Sequence, residues 1–78
     1  MTEVRFPSLS KDRPTAEGVV STWFVSQGQR VSEGQLLAEV QVDKVSVEVP
    51  APVGGVIHLL VAEDEAVSQG SPIATIDY

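Results

Sequence analysis

The stretch Glu39–Val49 is the most informative part of the sequence. It reads EVQVDKVSVEV, with valines alternating with polar residues on both sides of a central Asp-Lys pair. Successive side chains of a strand point to opposite faces, so this alternation predicts two strands with one buried face each. A two-residue loop at Asp43-Lys44 would join them. The predicted element is therefore a β-hairpin with a lysine at its tip.

The alternation also predicts the register of this hairpin. The pairs predicted on one face are Val42 with Val45, Val40 with Val47 and Ala38 with Val49, and those on the other face are Gln41 with Ser46 and Glu39 with Glu48. A slip of one residue would turn the glutamates inward, so the register is well determined. We expect a fully apolar inner face and a polar outer face.

Two features of the hairpin do not serve stability. Two-residue turns favour Gly or Asn, and Asp43-Lys44 is not such a pair, although Asp accepts turn conformations. Glu39 opposite Glu48 is a mildly unfavourable pair of like charges. A lone loop lysine is usually a solubilising residue. The position of Lys44 at the apex of a rigid hairpin between two similar halves favours a functional role instead.

Turn residues divide the whole chain into short segments rich in Val, Ile, Phe and Trp, and none of these segments has a clear helical period. The predicted strands are residues 3–6, 18–25, 30–32, 36–42, 45–49, 55–61, 66–68 and 73–76. Many short strands separated by turns predict an all-β sandwich or flattened barrel.

The two halves of the chain resemble each other. The aligned segments are Gly18–Val20 with Gly55–Ile57, Val31–Gly34 with Val67–Gly70, and Leu37–Val40 with Ile73–Ile76. Without a gap, residues 18–25 align with residues 55–62. The spacer that follows, up to Val31 in the first half and up to Val67 in the second, is then one residue longer in the first half. Small β-domains can reuse turn sequences, but related halves would give a fold with pseudo-twofold symmetry.

Composition restricts the function. The chain has 78 residues, a formal charge of −6 and no cysteine, which predicts one small domain over residues 1–78 without disulfides or thiolate metal sites. Acidic surfaces repel phosphate, so nucleic acid and membrane are poor candidate partners. No apolar run is long enough for a membrane span, and no signal peptide is evident. Little chain is left for a large active site.

The chain resembles the lipoyl domains of 2-oxo acid dehydrogenase acyltransferases, within the wider group of biotinyl and lipoyl carrier domains. The matching motifs are Val4–Leu9, Ala16–Val20, Trp23, Gly28–Val31, Glu33–Val40, Val42–Val45, Val49–Pro52 and Gly55–Ile57. The resemblance implies a barrel-sandwich hybrid, a flattened β-barrel of two four-stranded antiparallel sheets with pseudo-twofold symmetry.

The resemblance also implies a covalent cofactor. Lipoyl domains carry lipoic acid in amide linkage on the lysine that corresponds to Lys44. Biotinyl domains usually have Met on both sides of that lysine, so Asp43 and Val45 favour lipoyl. The residues expected to serve as motif and in partner recognition are Asp43, Val45, Glu39, Glu48 and the loop Ser8 to Ala16, which is longer than usual. A biotinyl carrier and an unmodified interaction module, as in adaptor proteins of efflux pumps, are the alternatives.

A non-catalytic carrier is the function that the resemblance implies. The lipoyl arm would move acyl groups and reducing equivalents between a thiamine-dependent 2-oxo acid decarboxylase, the acyltransferase and dihydrolipoyl dehydrogenase. A lipoate ligase or lipoyl transferase would attach it and change the formal charge from −6 to −6 − 1 = −7. We expect a monomeric domain excised from a longer acyltransferase of the bacterial cytoplasm or mitochondrial matrix.

Other candidate residues are given structural roles. His58 is the only histidine and is expected to be exposed or hydrogen-bonded in a strand. Glu63-Asp64-Glu65 lacks the ligand spacing of a calcium loop and is expected to be a solvated turn, leaving no metal site. Trp23 and Phe24 are expected in the core or at its edge.

Overall fold

The computed structural model describes residues 1–8 and 16–78. Within them it has eight strands: β1 Thr2–Arg5, β2 Glu17–Trp23, β3 Arg30–Val31, β4 Leu36–Val42, β5 Val45–Pro50, β6 Gly55–Leu59, β7 Ala66–Ser68 and β8 Pro72–Asp77. Each predicted strand is confirmed to within two residues, β2 and β6 ending earlier than expected. In the part of the chain that the structure describes, no helix is long and apolar enough to cross a membrane.

The strands form two antiparallel sheets of four strands each. The first sheet has the order β1-β8-β6-β3, and the second has the order β5-β4-β2-β7. The predicted all-β sandwich is therefore confirmed. Its core is apolar: Leu37, Val40, Ile73 and Ile76 are fully buried, and no polar or charged side chain is buried among residues 1–8 and 16–78.

The two sheets are related by the predicted pseudo-twofold symmetry. Exchanging β1 with β5, β2 with β6, β3 with β7 and β4 with β8 turns one sheet order into the other. The turns repeat their hydrogen bonds as well. Gly28 donates its N–H to the carbonyl of Ile57 at 2.8 Å, and Asp64 donates its N–H to the carbonyl of Val20 at 2.9 Å. The related halves therefore share conformation as well as sequence.

A β-bulge at Ser21 accounts for the one-residue difference between the halves. The pairing of β2 with β4 shifts between Val20 and Thr22, whereas β6 pairs with β8 without a shift. The gapless alignment of residues 18–25 is therefore wrong beyond Val20, because Ser21 has no counterpart. Phe24 corresponds to Leu60, and each donates its N–H to a carbonyl of the neighbouring strand at 2.9 Å.

The two aromatic residues at the end of β2 have different surroundings. Trp23 packs against the core and donates its Nε1–H to the carbonyl of Val61 at 3.1 Å. Phe24 is 49% exposed. Its expected place in the core or at its edge is wrong, because the bulge carries the chain out of the regular alternation.

Candidate functional site at the β4–β5 hairpin

The hairpin formed by β4 and β5 has the predicted register throughout. The observed pairs are Val42 with Val45, Gln41 with Ser46, Val40 with Val47, Glu39 with Glu48 and Ala38 with Val49. Asp43 and Lys44 form the two-residue loop. The alternation of the sequence was therefore sufficient to place the lysine at the tip.

The loop has one residue in a left-handed conformation. Asp43 has a φ of 52°, and Lys44 is not among the residues with positive φ. Asp is one of the few residues other than Gly that adopts this region at modest cost. The carbonyl of Asp43 accepts a hydrogen bond from the Gln41 side-chain amide at 2.9 Å. The tip is thus a defined turn even though it contains no glycine.

Close packing beneath the loop fixes the base of the hairpin. Val42 is buried, and so is Phe6. A Cβ atom on Gly18 would lie 2.6 Å from both the carbonyl oxygen of Gln41 and the Cγ2 of Val42, and it would also meet the Phe6 ring. Only glycine fits here. Phe6 and Gly18 were not predicted as parts of the site, although the repeated Gly-Val motif marked Gly18.

The Lys44 side chain is accessible. The residue is exposed, and within residues 1–8 and 16–78 its ammonium makes no hydrogen bond or ion pair. A primary amine on a rigid turn, not held by a neighbouring group, is suited to covalent modification.

On β5, the inner face of the hairpin leaves the core towards the tip. Val49 is buried and Val47 is partly buried, whereas Val45 is 48% exposed. The expected fully apolar inner face is right in its residues but wrong in its burial at the tip. β5 is the edge strand of its sheet and loses cover towards the tip, whereas Val42 on the internal strand β4, opposite Val45, stays buried.

The like-charged pair lies on the outer face. Glu48 is exposed and Glu39 is half-buried. Ser21, the bulged residue, donates its hydroxyl to the carbonyl of Glu39 at 3.1 Å and lies 3.4 Å from the Glu39 carboxylate. The bulge therefore holds Glu39, a contact indicated in the sequence only by the unequal spacing of the halves.

The loop expected to aid recognition is described only at its ends. Ser8 is exposed, and the carbonyl of Ala16 accepts a hydrogen bond from the Gln69 side chain at 2.8 Å. Residues 9–15 lie outside the described residues.

Comparison with known proteins identifies the family. The family described as "Biotin-requiring enzyme", which contains biotinyl and lipoyl domains, matches residues 2–76. The chain belongs to this family.

The relatives of the domain are lipoyl proteins. It is 37% identical over 76 residues to the dihydrolipoyllysine-residue acetyltransferase component of the pyruvate dehydrogenase complex of Corynebacterium glutamicum, covering 96% of this chain and 11% of that protein. It is also 37% identical over 76 residues to the dihydrolipoyllysine-residue succinyltransferase component of the 2-oxoglutarate dehydrogenase complex of Cupriavidus necator, covering 96% of this chain and 18% of that protein. The chain thus spans less than a fifth of the length of these curated relatives.

A solved structure agrees with these relatives. The lipoyl domain of the 2-oxoglutarate dehydrogenase complex of Azotobacter vinelandii superposes with a TM-score of 0.81 at 26% identity, covering 100% of this chain and 98% of that one. The resemblance to lipoyl domains is confirmed.

His58 of this lipoyl-type domain is hydrogen-bonded, as expected. One ring nitrogen, Nε2, lies 2.9 Å from the Asp77 carboxylate, and the other, Nδ1, lies 3.2 Å from the side-chain nitrogen of Gln27. The Gln27 oxygen accepts the N–H of Leu59 at 2.6 Å. The Gln27 nitrogen therefore donates to Nδ1, and the imidazole joins a turn to two strands.

The acidic segment Glu63-Asp64-Glu65 forms the expected turn. The Glu63 carboxylate accepts the N–H of Trp23 at 2.7 Å, and the Glu65 carboxylate accepts the N–H of Ala62 at 3.2 Å. Asp64 adopts a φ of 65°. These acids satisfy the backbone, and within the described ranges no three His, Cys, Asp or Glu residues are grouped to hold a metal ion.

Proposed function

We propose that residues 1–78 form a single lipoyl carrier domain in which lipoic acid is attached to Lys44. The observation that carries this proposal is the exposed amine of Lys44 at the tip of a rigid β-hairpin in a chain of the biotinyl and lipoyl family. The lipoyl acyltransferases among its relatives favour lipoate over biotin.

The residues around Lys44 fit such a group. The carboxyl group of lipoic acid would form an amide with Nζ, and no charged partner of the ammonium within the described residues would have to be displaced. When bound, the lipoyl group supplies a dithiolane that accepts acyl groups and electrons. Asp43 shapes the turn, and Val42 with Gly18 holds its base. The outer face is polar, so it offers little apolar surface that could hold the arm down.

The partners that we propose are a thiamine-dependent 2-oxo acid decarboxylase, an acyltransferase core, dihydrolipoyl dehydrogenase and a lipoate ligase or lipoyl transferase. The relatives are components of pyruvate and 2-oxoglutarate dehydrogenase complexes, which supports this set. The domain is a carrier, because the chemistry belongs to the cofactor and the partner enzymes. Its charge of −6, or −7 after amide formation at Lys44, would accelerate encounters with basic active-site entrances.

The test is intact mass after incubation with a lipoate ligase, ATP and lipoate. We expect one lipoyl group on the unmodified chain, none on Lys44→Ala, and one on Lys11→Ala, which removes the other lysine. Circular dichroism should show that Lys44→Ala keeps its fold, because within residues 1–8 and 16–78 the exposed side chain makes no hydrogen bond or ion pair. Biotin on Lys44 in the native source, or an unfolded Lys44→Ala, would contradict the proposal.

A further inference from the structure

Four strands lie at sheet edges among the described residues: β1 and β3 in the first sheet, and β5 and β7 in the second. An edge strand offers unpaired main-chain N–H and C=O groups to another chain unless it is short or covered. β3 has two residues and β7 has three, so neither offers much. β1 carries no loop lysine. β5 has six residues, begins directly after Lys44, and is bordered by no further strand of the described chain.

The register shows which groups of β5 point outward. On β4, the carbonyls of Leu37 and Glu39 face β2, because they accept hydrogen bonds from Phe24 and Ser21. Main-chain groups alternate in direction along a strand, so those of Ala38, Val40 and Val42 face β5, where these residues pair with Val49, Val47 and Val45. The intervening residues Ser46 and Glu48 direct their N–H and C=O groups away from the sheet.

Pro50 limits the length of this outer edge. It is the next residue with an outward main chain, and proline has no N–H to donate. A chain added to β5 would thus gain hydrogen bonds from Ser46 and Glu48 and then lose the donor. The open part of the edge is a short segment that begins two residues after Lys44.

The side chains of β5 suit an added strand. Val45 is 48% exposed and Val47 is only partly buried, so an apolar row runs along the inner side of the edge. On the outer side, Glu48 is exposed next to the half-buried Glu39. A strand that alternates apolar residues with a basic residue opposite Glu48 would cover the valines and relieve the like-charged pair.

We propose that the outer edge of β5 is the docking strand for the lipoate ligase, which adds an extended segment to the second sheet beside Ser46 and Glu48. The inference rests on the proposed lipoylation of Lys44. The ligase must bring its active site to Nζ itself, at the end of one lysine side chain. Enzymes that act on the dithiolane meet it farther from the backbone. Of the proposed partners, the ligase is therefore the one that must lie closest to β5.

The first test measures amide hydrogen exchange in the Lys44→Arg domain, mixed with a lipoate ligase that holds lipoyl-adenylate and cannot transfer it. We expect exchange at Ser46 and Glu48 to slow by at least about tenfold on binding, as for newly hydrogen-bonded amides. Val47, whose N–H is already bonded to β4, should change little. Unchanged exchange at Ser46 and Glu48 would overturn the proposal. So would slowing with domain concentration alone, which would indicate pairing with a second copy.

The second test compares lipoylation of Glu48→Pro with that of Glu48→Ala. Proline removes one outward N–H and leaves the β4 ladder intact, because edge strands tolerate it and it favours an extended residue before it. We expect kcat/KM for Glu48→Pro to lie about tenfold or more below that for Glu48→Ala, mainly through KM, because both variants lose the carboxylate and only the proline variant loses the outward N–H. Equal losses of kcat/KM in the two variants would assign the effect to the carboxylate and overturn strand pairing. A folded Glu48→Pro that is lipoylated as well as the unsubstituted chain would also overturn it.

The outcomes separate the two proposals. If the unsubstituted chain is lipoylated at Lys44 and either test gives the contrary result, only the docking strand fails. If the unsubstituted chain is not lipoylated, the proposed function fails and the docking strand fails with it. Should Glu48→Pro not fold, the exchange experiment decides alone, because it leaves β5 unsubstituted.

Discussion

Gly18 lies where three parts of the chain meet: the start of β2, the end of β4 and the ring of Phe6. A methyl group there would be 2.6 Å from the Gln41 carbonyl oxygen, well inside van der Waals contact. Backbone cannot move aside as a flexible side chain can, so Gly18→Ala should separate β2 from β4. We expect a loss of about 1–3 kcal/mol in the free energy of unfolding, measured by urea denaturation.

Gly54→Ala is the matched control for this substitution. A Cβ on Gly54 would be 3.4 Å from the nearest atom, the carbonyl oxygen of Val31, which is ordinary contact. The free energy of unfolding should change by less than about 1 kcal/mol. If both variants lose the same stability, the clash at Gly18 is not the cause. If Gly18→Ala loses none, the base of the hairpin is less closely packed than the structure indicates.

At the level of single elements, the β4–β5 hairpin and strand β2 differ in how far the sequence determined them. The hairpin register was predictable because one slip would bury Glu39 and Glu48. The bulge at Ser21 was not predictable, since neither Ser21 nor its neighbours Val20 and Thr22 is a glycine or another marker of a bulge, and the extra residue showed only as unequal spacing of the halves. The exposure of Val45 was also missed, because alternation gives the face of a residue and not the extent of the opposite sheet.

Deleting Ser21 tests the interpretation of β2 as a strand with one extra residue. The shortened β2 would pair with β4 as β6 pairs with β8, without a shift, and Thr22 and Trp23 would keep their partners. We expect the variant to fold and to lose about 1–3 kcal/mol, because the hydroxyl bond to Glu39 and the native twist are lost. Cross-strand nuclear Overhauser effects would report the register, and urea denaturation the stability.

Deleting His58 is the corresponding control in the strand without a bulge. Every later residue of β6 would then move to the opposite face, so that Leu59 would take the outward position of His58. This variant should not fold. If it tolerates the deletion as well as β2 does, or if the Ser21 deletion unfolds the chain, the bulge is not the simple insertion that the register indicates.

At the scale of the whole molecule, the pairing of β1 with β8 reproduces that of β4 with β5. Thr2 opposite Ile76 corresponds to Val47 opposite Val40, and Val4 opposite Ala74 corresponds to Val49 opposite Ala38. Extending this correspondence places Tyr78 at the position of Val42. The two chain ends therefore occupy the place that the lysine loop occupies in the other sheet.

A circular permutant makes this equivalence testable. An Asp-Lys-Val linker from Tyr78 to Met1 would complete a second hairpin tip. The new chain ends would be placed at Pro52, which is exposed, because exposed turns tolerate new ends. In this chain Met1 and Glu3 correspond to Ser46 and Glu48, so the outer edge of β1 offers the same groups as that of β5. With Lys44→Ala added, we expect the linker lysine to be lipoylated within about tenfold of the rate at Lys44.

The side chains next to the second tip differ from those around Lys44. The permutant therefore distinguishes recognition of the edge main chain from recognition of particular side chains. The Glu3 carboxylate is bound by Arg5 at 2.6 Å, whereas its counterpart Glu48 faces no base among the described residues. If the main chain of the edge recruits the ligase, this difference costs little and intact mass will show the lipoyl group on the linker. A folded permutant that remains unmodified would mean that hairpin geometry is insufficient. Recognition would then depend on side chains found only around Lys44, with Glu39, Glu48 and Val45 the first to substitute.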